Sequence, residues 1–208
     1  MFFLGLGSNL SSSFGDRFEN LNLAVSYLET YYIKINKRSN FYETPSYPDI
    51  KNPKFINLVV EVSTNLSLED LVSALIFVEE KLERKRIKKN EPRTCDIDII
   101  DYNGKVMDFT YKNLIFKVPH EKLIYRNFVL FPLQEIAPKW IHPETKDSID
   151  VLINKLSNED KKSILKIKKS WYNILMLNQK ELIEKVKNYN RFFNSDALSK
   201  AYTFALDA

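Results

Sequence analysis

With 208 residues, 44% hydrophobic, 28% charged and a formal net charge of +4, the chain has ordinary globular values and is long enough for one well-buried domain with an appendage. A single cysteine, Cys95, excludes an intramolecular disulfide and a cysteine-based zinc site and fits a reducing, cytoplasmic setting. The opening MFFLGLGSNL has no basic leader and too short an apolar run for a signal or membrane span, so a soluble protein with no membrane partner is expected.

Residues 2–7 read as a buried strand entering a glycine turn. Gly5 and Gly7 begin like a dinucleotide fingerprint, but Leu10 stands in the place of the third glycine, and no Walker loop is present. Asp16 opens a helix with the stripe Phe18, Leu21, Val25 and Leu28. Residues 31–43 read as one strand, followed by a loop punctuated by Pro45, Pro48 and Pro53. Residues 55–62 form a strand with Ile56, Leu58, Val60 and Val62 on one face and Phe55, Asn57, Val59 and Glu61 on the other. Ser67 starts a second helix, striped by Leu68, Leu71, Val72, Leu75, Ile76 and Leu82. Residues 94–102 form another strand, and Asn103-Gly104 signals a hairpin turning the chain into residues 105–107. Residues 114–118 lead to Pro119-His120, and the apolar run that ends near Trp140 packs back on the domain. Strand, helix, strand, strand, helix, strand is the ferredoxin-like order: an α+β sandwich, here βαββαβ with an added hairpin, both helices on one sheet face and the other face free for ligand.

The charge is local. Residues 81–93 hold seven Lys or Arg against two Glu, a balance of +5, which leaves −1 for the rest of a +4 chain. This basic run leads into Asp96 and Asp98, which strand alternation puts on one face, about 7 Å apart. Two such carboxylates repel unless a cation lies between them, and Mg²⁺ typically takes one or two carboxylates together with phosphate oxygens and water. Arginines beside a carboxylate-held metal are the ingredients of phosphoryl transfer. The same alternation puts Phe55 and Asn57 on the face that holds the aspartates.

GLGSNL, YETPSYPD, FINLVVEV, EEKLERKR, EPRTCDIDII and VPHEKLIYRNFVLFPLQEIAP stand in an order that resembles 6-hydroxymethyl-7,8-dihydropterin pyrophosphokinase, over roughly residues 1–155. The resemblance implies a ferredoxin-like fold and transfer of pyrophosphate from ATP to the pterin's hydroxymethyl group, with release of AMP, in folate biosynthesis. It implies that Asp96 and Asp98 hold two Mg²⁺ ions and that Thr44, Pro45, Phe55, Asn57 and Phe128 build the pterin pocket. Arg84, Arg86 and Arg93 match catalytic cations on a loop over the triphosphate. Lys117, His120 and Arg126 match further ATP contacts, and Glu79 a nucleotide-side acid.

Four positions depart from the family pattern: Glu83 and Glu91 where glycine is common, Asn90 where some members carry tryptophan, and Glu121 where proline or an aromatic is usual. Residues 156–208 lie outside the resemblance and read as a helical extension. Ile164, Ile167, Trp171, Ile174 and Leu175 form one stripe and Leu182, Val186, Tyr189 and Phe193 another, suited to packing, dimerisation or docking a folate-pathway enzyme. Two other classes use similar ingredients, an RNA-binding ferredoxin-like module and a metal-dependent phosphohydrolase. The RNA module lacks its Lys/Arg-Gly-aromatic run here, and unmetallated aspartates on the binding face would repel phosphate, so no nucleic-acid partner is expected.

Overall fold

A computed structural model describes residues 2–85, 91–111 and 114–167. β1 (Phe2–Ser8) runs between β5 (Asp96–Tyr102) and β4 (Phe55–Ser63), antiparallel to both. The sheet continues from β4 to β3 (Phe41–Thr44) and β8 (Leu165–Ile167), and β2 (Lys34–Arg38) also pairs with β4. This is the expected ferredoxin-like arrangement, extended at one edge.

Two helices cover the first face. α1 (Arg17–Thr30) starts at Asp16, whose side chain accepts from the amides of Phe18 and Glu19, while Glu19 Oε2 accepts from the Asp16 amide at 2.8 Å. α2 (Leu68–Lys81) starts at Ser67, whose hydroxyl accepts from Asp70 N. Leu21, Ala24, Leu28, Leu71, Leu75 and Val78 pack there on Leu4, Leu6, Ile56, Leu58, Val60, Cys95, Ile97 and Ile99. Burying a side chain of this kind is worth about 1.5–3 kcal/mol, so this layer fixes the strand register and with it the face each aspartate occupies.

The far face is not wholly free. α3 (Asn127–Ile136) and α4 (Ile149–Lys155), with Trp140 from the segment between them, cover part of it, packing Leu130, Leu133 and Leu152 on Phe3, Val59 and Ile100. Among the described residues, the helices leave the end that carries Phe55, Asn57, Asp96 and Asp98 for ligand. The strand expected over residues 31–43 is two strands. Ser39 breaks it: its amide donates to Val59 O at 2.9 Å and its hydroxyl accepts from Val59 N at 3.0 Å, so a side chain replaces the ladder for one residue.

The Asn103-Gly104 turn forms, with φ of 54° and 69°, but it does not close a hairpin on β5. The ladder shifts register between Phe3 and Leu4, so that Phe3 faces Asp101. Asp101, buried on the far face, accepts from Trp140 Nε1 and from Gly104 N, each at 2.7 Å. Beyond it β6 (Met107–Tyr111) pairs instead with β7 (Leu114–Val118) as a separate two-stranded ribbon.

The chain divides into compact units at residues 1–168 and 169–208, so the boundary expected at 155 falls inside the first unit. Residues 158–163 form α5 (Asn158–Ser163), but Ile164 and Ile167 do not share a helix stripe, since β8 is the edge strand that pairs Phe41 with Ile167 and Tyr42 with Lys166. Trp171, Ile174, Leu175, Leu182, Val186, Tyr189 and Phe193 lie outside the described residues, as do Arg86 and Asn90. Among the described residues no helix is long and apolar enough to cross a membrane.

Candidate active site

The site begins with what β1 lacks. Gly7 pairs with Asn57 on one side and Asp96 on the other, and Gly5 with Val59 and Asp98. A Cβ on Gly7 would stand 3.0 Å from Asn57 Oδ1 and 3.6 Å from the Phe55 ring. The bare backbone therefore leaves a groove, with an aromatic ring and an amide on one bank and two carboxylates on the other. Two strand spacings separate the banks, about 10 Å.

Charges alternate along the acidic bank. Glu79, buried near the end of α2, accepts from Ile97 N at 2.8 Å and pairs with the Arg84 guanidinium. Arg84 Nη1 also lies 2.5 Å from Asp96 Oδ1. Arg93 Nε stands 2.8 Å from Asp96 Oδ2, a charge contact and not an aligned hydrogen bond. Arg126 Nη1 donates to Asp98 Oδ2 at 3.0 Å. Three acids and three guanidiniums thus share one cluster without net charge. Burial raises the Asp98 carboxyl above its ordinary range, as does the charge of Asp96, against the pull of Arg126, His120 and Arg93. Burial also works against the charge on Arg84, but Asp96 and Glu79 more than offset it.

His120 gives this cluster a polarity. Its Nδ1 accepts from Lys122 N at 3.0 Å, so the neutral ring carries its proton on Nε2. That nitrogen lies 3.2 Å from Arg126 Nη2. Two donors face each other, and burial together with the Arg126 charge lowers the His120 pKa. An anionic oxygen accepting from both relieves the opposition. Beside them a cleft of about 560 Å³ opens between α2, β5 and the β6–β7 ribbon, lined by Leu75, Ile97 and Phe116 on its apolar side and by Asp98, Lys117 and His120. Glu121, the departure next to His120, is at its rim.

On the opposite bank Asn57 is 5% exposed, and its Nδ2 donates to Thr44 Oγ1 at 3.1 Å and Tyr42 O at 3.4 Å. Both amide protons are used, which leaves Oδ1 facing the groove as an acceptor. Arg93 lies 5.1 Å from the Phe55 ring centre and Arg126 5.5 Å from that of Phe128. Pro45 is exposed at the head of the loop that follows β3.

A family model described as 7,8-dihydro-6-hydroxymethylpterin-pyrophosphokinase (HPPK) matches residues 3–138. The chain belongs to that family. This pyrophosphokinase moves pyrophosphate from ATP to hydroxymethyldihydropterin in folate biosynthesis. It is 36% identical over 141 residues to the 2-amino-4-hydroxy-6-hydroxymethyldihydropteridine pyrophosphokinase of Aquifex aeolicus, covering 68% of this chain and 82% of that one. With the enzyme of the same name from Synechocystis sp. it shares 32% over 154 residues, covering 74% of each chain. The folic acid synthesis protein fol1 of Pneumocystis carinii is 33% identical over 163 residues, a match that covers 78% of this chain but only 21% of that one. The crystal structure of wild-type Plasmodium falciparum HPPK-DHPS has the same fold, with a TM-score of 0.58 at 19% identity, and the match covers 74% of this chain and 44% of that one.

The pyrophosphokinase also has contacts that residue type alone did not announce. Asn9, 2% exposed, accepts from Arg93 N through Oδ1 at 2.7 Å and donates through Nδ2 to Ser46 Oγ and Pro53 O, at 3.2 and 3.1 Å. It ties the arginine segment to the proline loop. Its only signal was its place in GLGSNL, directly after the strand. Glu83, with φ of 64°, accepts from the amide and hydroxyl of Ser13, at 3.0 and 2.5 Å, so the carboxylate that replaces glycine links the end of α2 to the loop before α1.

Proposed function

We propose that the groove is where the pyrophosphokinase joins its substrates, with ATP along the cleft beside His120 and the pterin between Phe55 and Phe128. The observation that carries this reading is the pair Asp96 and Asp98 on one bank, ringed by Arg84, Arg93 and Arg126, across bare glycine backbone from Asn57. The pair fits Mg²⁺: two hard oxygen donors share a face, and burial together with the charge of Asp96 already lifts the Asp98 pKa. Among the described residues no group of three or more His, Cys, Asp or Glu could hold a metal, so the remaining positions fall to phosphate oxygens and water. Asp96 and Asp98 would hold two magnesium ions, which when bound would supply charge neutralisation for the transfer.

The chain's own residues supply positioning. Arg84, Arg93 and Arg126, with Arg86 and Lys117, offset the charge of the triphosphate, and His120 donates from Nε2 to a phosphate oxygen. Glu79 acts on the nucleotide side by fixing Arg84 and the Ile97 amide between the aspartates. Asn57 Oδ1 accepts from the N–H edge of the pterin, Thr44 and Pro45 border that edge, and the two phenylalanines hold the ring, with stacking worth about 0.5–1.5 kcal/mol beyond area burial. The pterin oxygen then bonds to the β-phosphorus as the bond to the α–β bridging oxygen breaks. AMP leaves and the hydroxyl proton is released.

An assay of ATP consumption with and without hydroxymethyldihydropterin tests this. AMP is expected only with the pterin present, in a one-to-one ratio with pterin diphosphate. Inorganic phosphate formed without pterin would make the carboxylates those of a hydrolase and overturn the reading.

A further inference from the structure

Residues 157–167 follow the 3–138 span that the family model matches, and they are bonded on one side to Asn127 and on the other to β3 and Glu135. α3 begins at Asn127 without a side-chain cap, since Arg126 at the N-cap makes no capping bond. Asn127 is 8% exposed and donates both amide protons of Nδ2 into α5, to Asp160 O at 2.6 Å and Ser163 Oγ at 3.0 Å. Ser163 Oγ donates in turn to Asp160 O at 2.9 Å. α5 is fixed in its own right: Ser157 Oγ accepts from Asp160 N at 3.0 Å, and Lys161 Nζ donates to Asn154 O at 2.8 Å. Asn127 stands between Arg126 and Phe128, so α5 bears on the one residue that joins them.

The second grip is at β3. Lys166 pairs with Tyr42 across the β3–β8 ladder, and its ammonium lies 3.3 Å from Glu135 Oε2. Tyr42 donates its hydroxyl to the same oxygen at 2.7 Å, while its carbonyl accepts from Asn57. One short segment is therefore bonded to the neighbour of Phe128 on one side and to the support of Asn57 on the other.

We propose that residues 157–167 brace the pterin pocket, with Asn127 as the positioning residue through which α5 sets the Phe128 wall. The inference rests on the pocket assignment above. A buried amide that loses both acceptors carries a penalty as well as a lost contact, so α3 would start in a different place, not merely start loosely.

Steady-state kinetics of the full chain, carrying Asn127→Ala, Ser163→Ala or both, tests it. Asn127→Ala is expected to raise the KM for hydroxymethyldihydropterin about fivefold, the equivalent of about 1 kcal/mol, with the KM for ATP changed by less than about twofold. Ser163→Ala, at an exposed position, removes one acceptor and should give about a twofold rise even if Asn127→Ala folds poorly. The double variant should be no worse than Asn127→Ala alone, because the two act as one contact. An unchanged pterin KM, a parallel rise in both KM values or additive effects would overturn the brace. Phe128→Ala separates the two ideas: a pterin KM unmoved by that change would overturn the pocket assignment itself, whereas a rise there with none in Asn127→Ala would overturn the brace alone.

Discussion

Asp98→Asn is expected to lower turnover by at least about 10²-fold, the scale of removing one group that stabilises transition-state charge, while the fold stays intact. The carboxylate is one of two that face the groove, and its partner Arg126 is also 3.2 Å from His120. An amide keeps the shape but cannot hold a divalent cation with the same charge. Stability should hold or rise. Burial and the neighbouring Asp96 raise the Asp98 pKa in the folded state, so ionisation costs the fold at neutral pH. That cost is full above the folded-state pKa and disappears as pH falls through it toward the unfolded value, and an amide never incurs it. Thermal melts at neutral pH, with single-turnover assays on the same sample, check both halves. Near-normal turnover would remove Asp98 from the metal site. Asp96→Asn should cost as much in rate. It should also disturb stability more, because Arg84 is nearly buried and would lose one of its two carboxylates.

The second large effect is expected at a residue with no side chain. Gly7→Ala should raise the pterin KM about tenfold, since losing one buried hydrogen bond and leaving its partner unsatisfied costs about 1–2 kcal/mol. The new methyl would stand 3.0 Å from Asn57 Oδ1, and Asn57 has little freedom to retreat because Thr44 and Tyr42 hold its amide nitrogen. The acceptor proposed to read the pterin must therefore turn or be covered, while the cleft beside His120, on the far side of β5, is untouched. Titration of each substrate separately checks this. Loss of ATP affinity with pterin binding preserved would mean that the groove has been assigned to the wrong substrate.

The ferredoxin-like frame was legible because its signals are local and repeat. Period two sorted Ile97 and Ile99 from Asp96 and Asp98, and the caps at Asp16 and Ser67 stand where their side chains meet the first helical amides. What was not legible depends on partners far away in sequence. Ser39 interrupts a strand by bonding twenty residues on, to Val59, and Asp101 leaves the period-two pattern because Trp140 offers it an indole N–H. The apolar run after Arg126 showed that something packs back, but not that it covers part of the face assigned to ligand. β8 stands where the apolar spacing predicts helix, because a three-residue edge strand has no periodicity to show and takes its conformation from β3. At the site the charged and aromatic residues were marked by type, whereas Asn9 and Gly7, which hold the loops and open the groove, are ordinary residue types whose role comes from what stands opposite them.

The most direct measurement is a crystal structure of the full chain with magnesium and a non-hydrolysable ATP analogue. The account predicts metal ions bound by Asp96 and Asp98, phosphates against Arg93, His120 and Arg126, and a groove over Gly7 open toward Asn57. Phosphates bound elsewhere, with both aspartates still paired to arginine and no ion at either, would contradict it.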